Sequence, residues 1–418
     1  MLVLCAVVAV PVLAWAQVPT AVASPPMPRL EFDAAIKQAL DRNPNVAQAM
    51  VAIARADALL QQARAFTLPS VSMGFANTTL DSPRGFSGGV TQPQNQFAFS
   101  ANVRYEAGRN VTARHAEDQV EIATLSSAET RERVRVAAAQ AYLAVIAGRR
   151  QVEVIERSFE TSSAHLDYAN KRLEGGAGSR VNQLRAAQVV TADQWRLENA
   201  RLNLRRAQEA LGVIVVADGP VDAGAEPVFD TSGALAENAA LMARPDLQTQ
   251  AAVQRAAEQI VKDHWLRWVP LPVLSFDPSL VTPQGLFQPA KTYRFSVQMV
   301  QPIFDGGERR AERRARQTEV DQSKLTFFEI ETRARSEVRM AQVALASLKT
   351  SLAITQTAAS QSEEVLRITT AAFELGATTN IEVIDAQRSL RVAESEAAVA
   401  EDAVRRAELD LLVALGRF

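Results

Sequence analysis

The sequence predicts a mainly helical chain with a small β part, written as two similar halves. Three observations carry this. Matching motifs recur about 200 residues apart, too long a period for a solenoid. Each half holds one very long run without proline, Asn110 to Glu174 and Glu308 to Leu375. Each half also holds short segments in which an apolar face alternates with a polar one at period two, the period of a half-buried strand.

The duplication is legible residue by residue. Asn43-Pro44-Asn45 opens a helical stretch that closes at Leu68-Pro69, and Arg244-Pro245-Asp246 opens one that closes at Val269-Pro270. Tyr105-Glu106-Ala107-Gly108 matches Phe304-Asp305-Gly306-Gly307. Gly176-Ala177-Gly178-Ser179-Arg180-Val181 matches Gly376-Ala377-Thr378-Thr379-Asn380-Ile381. The first repeat spans 30–211 and the second 234–418, joined by the Gly-, Asp- and Pro-containing stretch 212–233.

Ahead of them, Leu2 to Leu13 form an apolar run followed by Ala14-Trp15-Ala16, an A-x-A cleavage signal. Residues 1–16 thus read as a secretory signal peptide and 17–29 as a linker. Cys5, the one cysteine, falls inside the peptide, so the mature chain is expected to lack disulfides, thiolate metal sites and a cysteine nucleophile. No later apolar run reaches the roughly 18 residues of a membrane-spanning helix.

Each repeat opens with a modest helix, Leu30 to Ala65 or Leu235 to Trp265, apolar at helical spacing as in Ile36, Leu40, Val46, Met50 and Ile53. A hairpin follows, at 69–106 and 271–304. In Gln96 to Tyr105 the apolar set is Phe97, Phe99, Ala101, Val103 and Tyr105; in Thr292 to Val300 it is Tyr293, Phe295, Val297 and Met299. The partner strands are weaker: Val71, Met73 and Phe75 in one, Leu274 and Phe276 in the other, where Pro278 is expected to end the strand early. Long helices at 110–174 and 308–375 come next, each roughly 100 Å at 1.5 Å per residue and in need of a partner along its length. Shorter helices at 181–211 and 381–415 close the repeats.

Composition narrows the chemistry. Net charge is −2, with 45 basic and 47 acidic residues, so no nucleic-acid surface is indicated. The basic run Arg309 to Arg316 has acids at helical spacing and reads as a solvated helix face. His115, His165 and His264 have no partners at ligand spacing and read as ordinary helix residues; no metal or cofactor is expected. Gly175-Gly176-Ala177-Gly178 lacks the Lys-Ser/Thr of a phosphate loop and follows a helix instead of a strand. Without a nucleophile–base set, the chain reads as no enzyme. Trp265 and Trp268 suit a membrane–water belt and simple helix-end packing equally.

Four amphipathic strands in an exported chain fit a membrane barrel with an apolar outer face, yet the smallest such barrels have about eight strands. A barrel would therefore be shared between copies, three of which supply twelve strands.

Two motifs then carry a family resemblance: Gln301-Pro302-Ile303-Phe304-Asp305-Gly306-Gly307 and Phe373-Glu374-Leu375-Gly376-Ala377-Thr378-Thr379-Asn380-Ile381-Glu382-Val383-Ile384-Asp385-Ala386-Gln387-Arg388-Ser389-Leu390. With the closing Leu412-Val413-Ala414-Leu415-Gly416, they resemble outer-membrane efflux proteins of the TolC family over nearly all of the mature chain. The resemblance implies a homotrimer in outer-membrane lipid, with a twelve-stranded barrel continued by a twelve-helix periplasmic tunnel. It implies a passive exit duct joined by a periplasmic adaptor to an inner-membrane pump of RND, ABC or MFS type. The rival readings are a periplasmic adaptor, which has one hairpin and no duplication, and a coiled-coil scaffold, which lacks alternating strands.

On that resemblance Glu382 and Asp385 would ring the tunnel entrance; their i, i+3 spacing puts them on one helix face. Without it, two surface acids favoured by a helix N-terminus explain them. Gly176, Ser179, Gly376 and Thr379 mark the helix-turn tips that would meet the adaptor, with both hydroxyls placed to cap the next helices. Pro302, Gly306 and Gly307 mark the turn from strand to helix, and Ala137, Ala138, Ala139 and Ala141 would let helices approach closely.

Overall fold

The computed structural model describes residues 27–81, 93–176, 178–230, 243–284 and 289–418. The expected signal peptide, most of the 17–29 linker, the interiors of both hairpin loops, Ala177 and the expected helix start at Leu235 lie outside the described residues. Within them the order is β1 (Arg29–Leu30), α1 (Phe32–Arg42), α2 (Pro44–Ala65), β2 (Ser70–Thr79), β3 (Asn95–Glu106), α3 (Asn110–Glu174), α4 (Arg180–Val215) and β4 (Asp222–Ala223). The second half continues with α5 (Pro245–Asp263), a 3-10 turn (His264–Trp268), β5 (Pro272–Thr282), β6 (Lys291–Met299), α6 (Glu308–Glu374) and α7 (Asn380–Ala414).

Proline sets the first break in each half. A residue before proline is pushed out of the helical region. Asn43 (ψ 127°) and Arg244 (ψ 130°) are both extended, and Pro44 and Pro245 each open a helix. Asn43 also caps α2, accepting from the Asn45 amide at 2.9 Å.

The two long helices run 65 and 67 residues, about 100 Å each. Each folds back against its shorter partner, α3 on α4 and α6 on α7, and α3 also packs on α7. Small residues make the close approaches: Ala138, Ala139 and Ala334 are fully buried. One core gathers Val134, Tyr142 and Val145 of α3 with Leu211 and Val215 of α4. Its counterpart gathers Val338 and Leu345 of α6 with Val404 and Leu411 of α7. No described helix is long and apolar enough to cross a membrane.

The strands form one antiparallel sheet in the order β2-β3-β5-β6. Its register aligns Val71 with Val103, Phe75 with Phe99, Phe99 with Leu280, Phe276 with Phe295 and Leu274 with Val297. Side chains alternate faces along a strand. All four strands therefore place their rings and most of their apolar residues on one face, while Ser100, Asn102, Ser275, Asp277, Arg294 and Ser296 occupy the other together with Val273 and Val281.

Pro278 does not end its strand. β5 continues to Thr282, and the β3–β5 ladder skips Asp277 and Pro278 before resuming at Ser279. A residue without an N–H interrupts one ladder, and here the Asn102 amide spans the gap by donating to the Asp277 carboxylate.

The stretch between the repeats is more than a joint. Its first residues, Gly212 to Val215, extend α4, and Asp222–Ala223 pair in parallel with Arg29–Leu30, residues that the sequence assigns to a linker and a helix start. Asp222 accepts from Arg149 at 2.8 Å, Gln208 at 3.1 Å and Arg29 at 3.2 Å. The Tyr142 hydroxyl donates to the Ala225 carbonyl at 2.8 Å. Phe418 packs on Phe32 at 6.4 Å between ring centroids.

Candidate functional site

Two regions carry the residues singled out by sequence: the strand-to-helix junction and the helix-turn tips at the far end. At the junction, β6 ends at Met299, so Pro302 lies beyond the strand. Gly306 (φ 63°) and Gly307 (φ 97°) adopt the left-handed backbone that glycine tolerates without a steric cost. Asp305 closes the turn, accepting from the Gly307 amide at 3.0 Å, the Arg309 amide at 3.3 Å and the Arg309 guanidinium. The Arg309 hydrogen bond, helped by the Gly307 amide, pulls the Asp305 carboxyl down to about 2. Arg309 also donates to the Pro302 carbonyl at 2.9 Å and lies 4.5 Å over the Trp268 ring. The first repeat builds the same pair less tightly, with Arg109 5.7 Å over Phe66.

The basic run beyond the junction is partly paired: Glu312 accepts from Arg267, Asp305 from Arg309 and Glu319 from Arg316. Arg310, Arg313 and Arg314 are exposed, consistent with a solvated face.

At the tips, Gly176 and Gly376 share φ 77°, and their amides bond back to Leu173 at 3.1 Å and Phe373 at 3.0 Å. These are the left-handed ends that halt a helix. Ser179 caps α4, its hydroxyl accepting from the Val181 amide at 3.3 Å. Thr379 precedes α7 but makes no side-chain cap. Its neighbour Thr378 acts instead, donating to the Glu382 carboxylate one turn on. That bond commits the hydroxyl to a side chain, so the expected symmetry between Ser179 and Thr379 does not hold.

Glu382 and Asp385 both lie exposed on the first turns of α7. The opposite face of the helix carries Asn380, Val383, Ala386 and Gln387, all buried.

Sequence reasoning missed what joins the tips. His165 on α3 is buried, and its Nε2 lies 2.8 Å from the Asn380 Oδ1 on α7. The Asn380 amide nitrogen points at the Asn182 carbonyl, 3.5 Å away on α4. Phe373 of α6 covers the imidazole at 5.7 Å, and Arg172 lies over Phe373 at 5.3 Å. Burial pushes the His165 pKa below its ordinary 6.5, against the Asn380 hydrogen bond that raises it. No local pattern signals this contact, because its members lie 215 residues apart. Among the described residues, no three His, Cys, Asp or Glu side chains converge to hold a metal ion.

A small sheet with one apolar face, set on two long helical hairpins whose turns lie at the opposite end, is the protomer architecture of TolC-like outer-membrane channels. The comparisons agree. The model of the outer membrane efflux protein family matches residues 35–215 and 237–417. The chain is 24% identical over 409 residues to the pyoverdine export outer membrane protein OpmQ of Pseudomonas aeruginosa, covering 92% of this chain and 85% of OpmQ. It is 25% identical over 414 residues to the outer membrane protein OprJ of the same organism, covering 91% of this chain and 83% of OprJ. Its fold superposes on the outer membrane protein VceC of Vibrio cholerae with a TM-score of 0.80 at 17% identity, covering 92% and 96% of the two chains.

The chain belongs to the outer membrane efflux protein family. It is an outer-membrane efflux channel protein with a large periplasmic helical part, a structural conduit and not an enzyme. Membership implies partnership with a periplasmic adaptor and an inner-membrane pump. The adaptor and scaffold readings are thereby not favoured.

Proposed function

We propose that three copies of this chain close into a passive exit duct. The carrying observation is the sheet: four antiparallel strands with one apolar face and two open edges, β2 and β6. An open edge in lipid leaves backbone groups without partners, which the hydrocarbon does not tolerate. β2 and β6 run in opposite directions, so β6 of one copy can pair antiparallel with β2 of the next. Three copies give an even, fully antiparallel twelve-stranded barrel.

The helices leave matching open flanks. α2 packs on α1 and α3, and α6 packs on α5 and α7. On α2, Met50, Val51 and Leu59 stay exposed, as do Leu325, Phe328, Met340 and Val343 on α6. A head-to-tail ring covers both flanks.

In this assembly the tips form the periplasmic entrance, and Glu382 and Asp385 become two stacked rings of three carboxylates. The tips at Gly176, Ser179, Gly376 and Thr379 meet the adaptor. The adaptor joins the duct to a pump of RND, ABC or MFS type, whose energy drives export.

The test uses the absence of mature cysteines expected from Cys5. Cysteine pairs scanned between Ser70–Thr79 and Lys291–Met299 should give covalent trimers on oxidation in the outer membrane. A protein that stays monomeric in detergent, or a scan that never crosslinks β2 to β6 of another copy, would overturn the barrel.

A further inference from the structure

We propose that His165 and Asn380 form a proton-sensitive clasp between the two helical hairpins, holding the tips together while the imidazole is neutral and releasing them when it is protonated. The inference rests on the reading of the tips as the entrance.

The geometry puts the contact where separation must begin. The α3–α4 and α6–α7 hairpins belong to different repeats, and the tip bonds between them run through Asn380. Its Oδ1 lies 2.8 Å from His165 Nε2 on α3, and its Nδ2 faces the Asn182 carbonyl on α4. An amide oxygen only accepts, so Nε2 carries the proton in this bond and Nδ1 is the basic atom. A second proton would therefore leave the bond intact but place a cation inside the clasp.

The surroundings do not welcome that cation. Phe373 of α6 and Asn380 of α7 meet the imidazole itself; behind them, Tyr168 and Arg172 of α3 pack on Phe373, and Asn182 of α4 lies against Asn380. The charged group in that set, Arg172, is a cation, spread over the Tyr168 and Phe373 rings at 5.9 and 5.3 Å. Among the described residues, the hydrogen-bond and ring partners of the imidazole supply no carboxylate. His165 is 8% exposed and Asn380 3%, so the docked hairpins hold most water away from the site.

The sign follows from linkage. In the clasp the imidazole has a lowered pKa; once parted, it returns towards 6.5. The clasped state is fully favoured above that ordinary value. It is progressively lost as pH falls through 6.5 towards the lowered value. Acid therefore loosens the tips.

The experiment uses the full chain in lipid nanodiscs. Spin labels are placed at Glu174→Cys and Leu375→Cys, exposed positions at the ends of α3 and α6. Labelled chain is diluted into unlabelled chain, and the distance is read from pH 8 to pH 4.5. The wild-type background should show a longer distance in acid, with a midpoint below 6.5. His165→Gln keeps an N–H donor at the matching position and cannot titrate; its distance should stay short throughout. Asn380→Asp places a carboxylate against the imidazole and should abolish the acid lengthening. No lengthening in the wild-type background, or undiminished lengthening in either variant, overturns the clasp. If the duct reading itself fails, the protein neither forms trimers nor conducts, an outcome separate from the distance measured within one chain.

Discussion

Arg391 on α7 donates to Asp193 on α4 at 2.9 Å, joining residues 198 positions apart. The pair lies at similar depth in the shorter helices of the two repeats, so the duplication is stitched to itself across the hairpins. Asp193 is 1% exposed. Its Oδ1 also accepts from Arg196 at 2.7 Å, and its Oδ2 has no partner. α4 and α7 otherwise touch only along a short edge. A half-satisfied buried carboxylate makes this contact sensitive to the loss of either arginine.

Replacing Arg391 with Met should therefore loosen the hairpins. Arg196 remains, so the loss is a single charge-assisted bond, about 1.5–3 kcal/mol. The expected readout is heat dissociation of the detergent-solubilised assembly at a lower temperature. Asp193→Asn combined with Arg391→Met should cost less than the sum of the two single changes. Strict additivity would mean that the two side chains do not couple.

Rings of carboxylates favour cations and bind multivalent ones. Glu382 and Asp385 are the exposed acids at the start of α7, and Thr378 steadies the first of them. Planar-bilayer currents should be cation-selective and blocked by divalent or trivalent cations added on the tip side. Changing both residues to Ala should weaken block and selectivity together, on the order of tenfold in blocking concentration if about 1.4 kcal/mol of attraction is lost. Unchanged block in the double variant would place the constriction elsewhere.

The junction predicts its own pH window. Asp305 is depressed to about 2 by Arg309 and the Gly307 amide. A carboxyl lowered in this way stabilises the fold above its ordinary 3.8 and loses that effect as pH falls from 3.8 towards 2. Acid titration of the assembled protein should show a destabilising step in that window. Asp305→Asn should shrink that step, leaving the part that belongs to the other depressed aspartate carboxyls, Asp222 and Asp246.

What sequence could reveal tracks how local the cause is. α3 is legible from its lack of proline and from Gly175-Gly176, and it ends at Glu174 as expected. The strand β3 is legible from alternation over Gln96 to Tyr105 and runs one residue longer at each end. Pro278 misleads because a missing N–H disturbs one ladder while the other neighbour still pairs. Arg29–Leu30 and Asp222–Ala223 are invisible as strands, being two-residue segments that exist only through each other. His165 and Asn380 fail for the same reason: each is unremarkable in its own helix, and only the docking of two hairpins makes them a site.

The tips supply the last prediction. Gly376 has φ 77°, and a Cβ built there meets no atom within 4 Å. A side chain is thus opposed by backbone strain alone, about 1–3 kcal/mol. Gly376→Ala should keep assembly and export near normal, with a slightly less stable turn. Gly376→Glu carries the same strain and adds a bulky charge on the outside of the tip, where the adaptor would dock. It should abolish export while barrel insertion and trimer abundance stay intact. The measurements are cargo susceptibility in a strain dependent on this duct, trimer level in outer membranes, and crosslinking to the adaptor. The contrast between Ala and Glu separates strain from docking. If Ala alone abolishes export, turn geometry is what matters; if Glu exports and crosslinks at normal abundance, the adaptor does not use this tip.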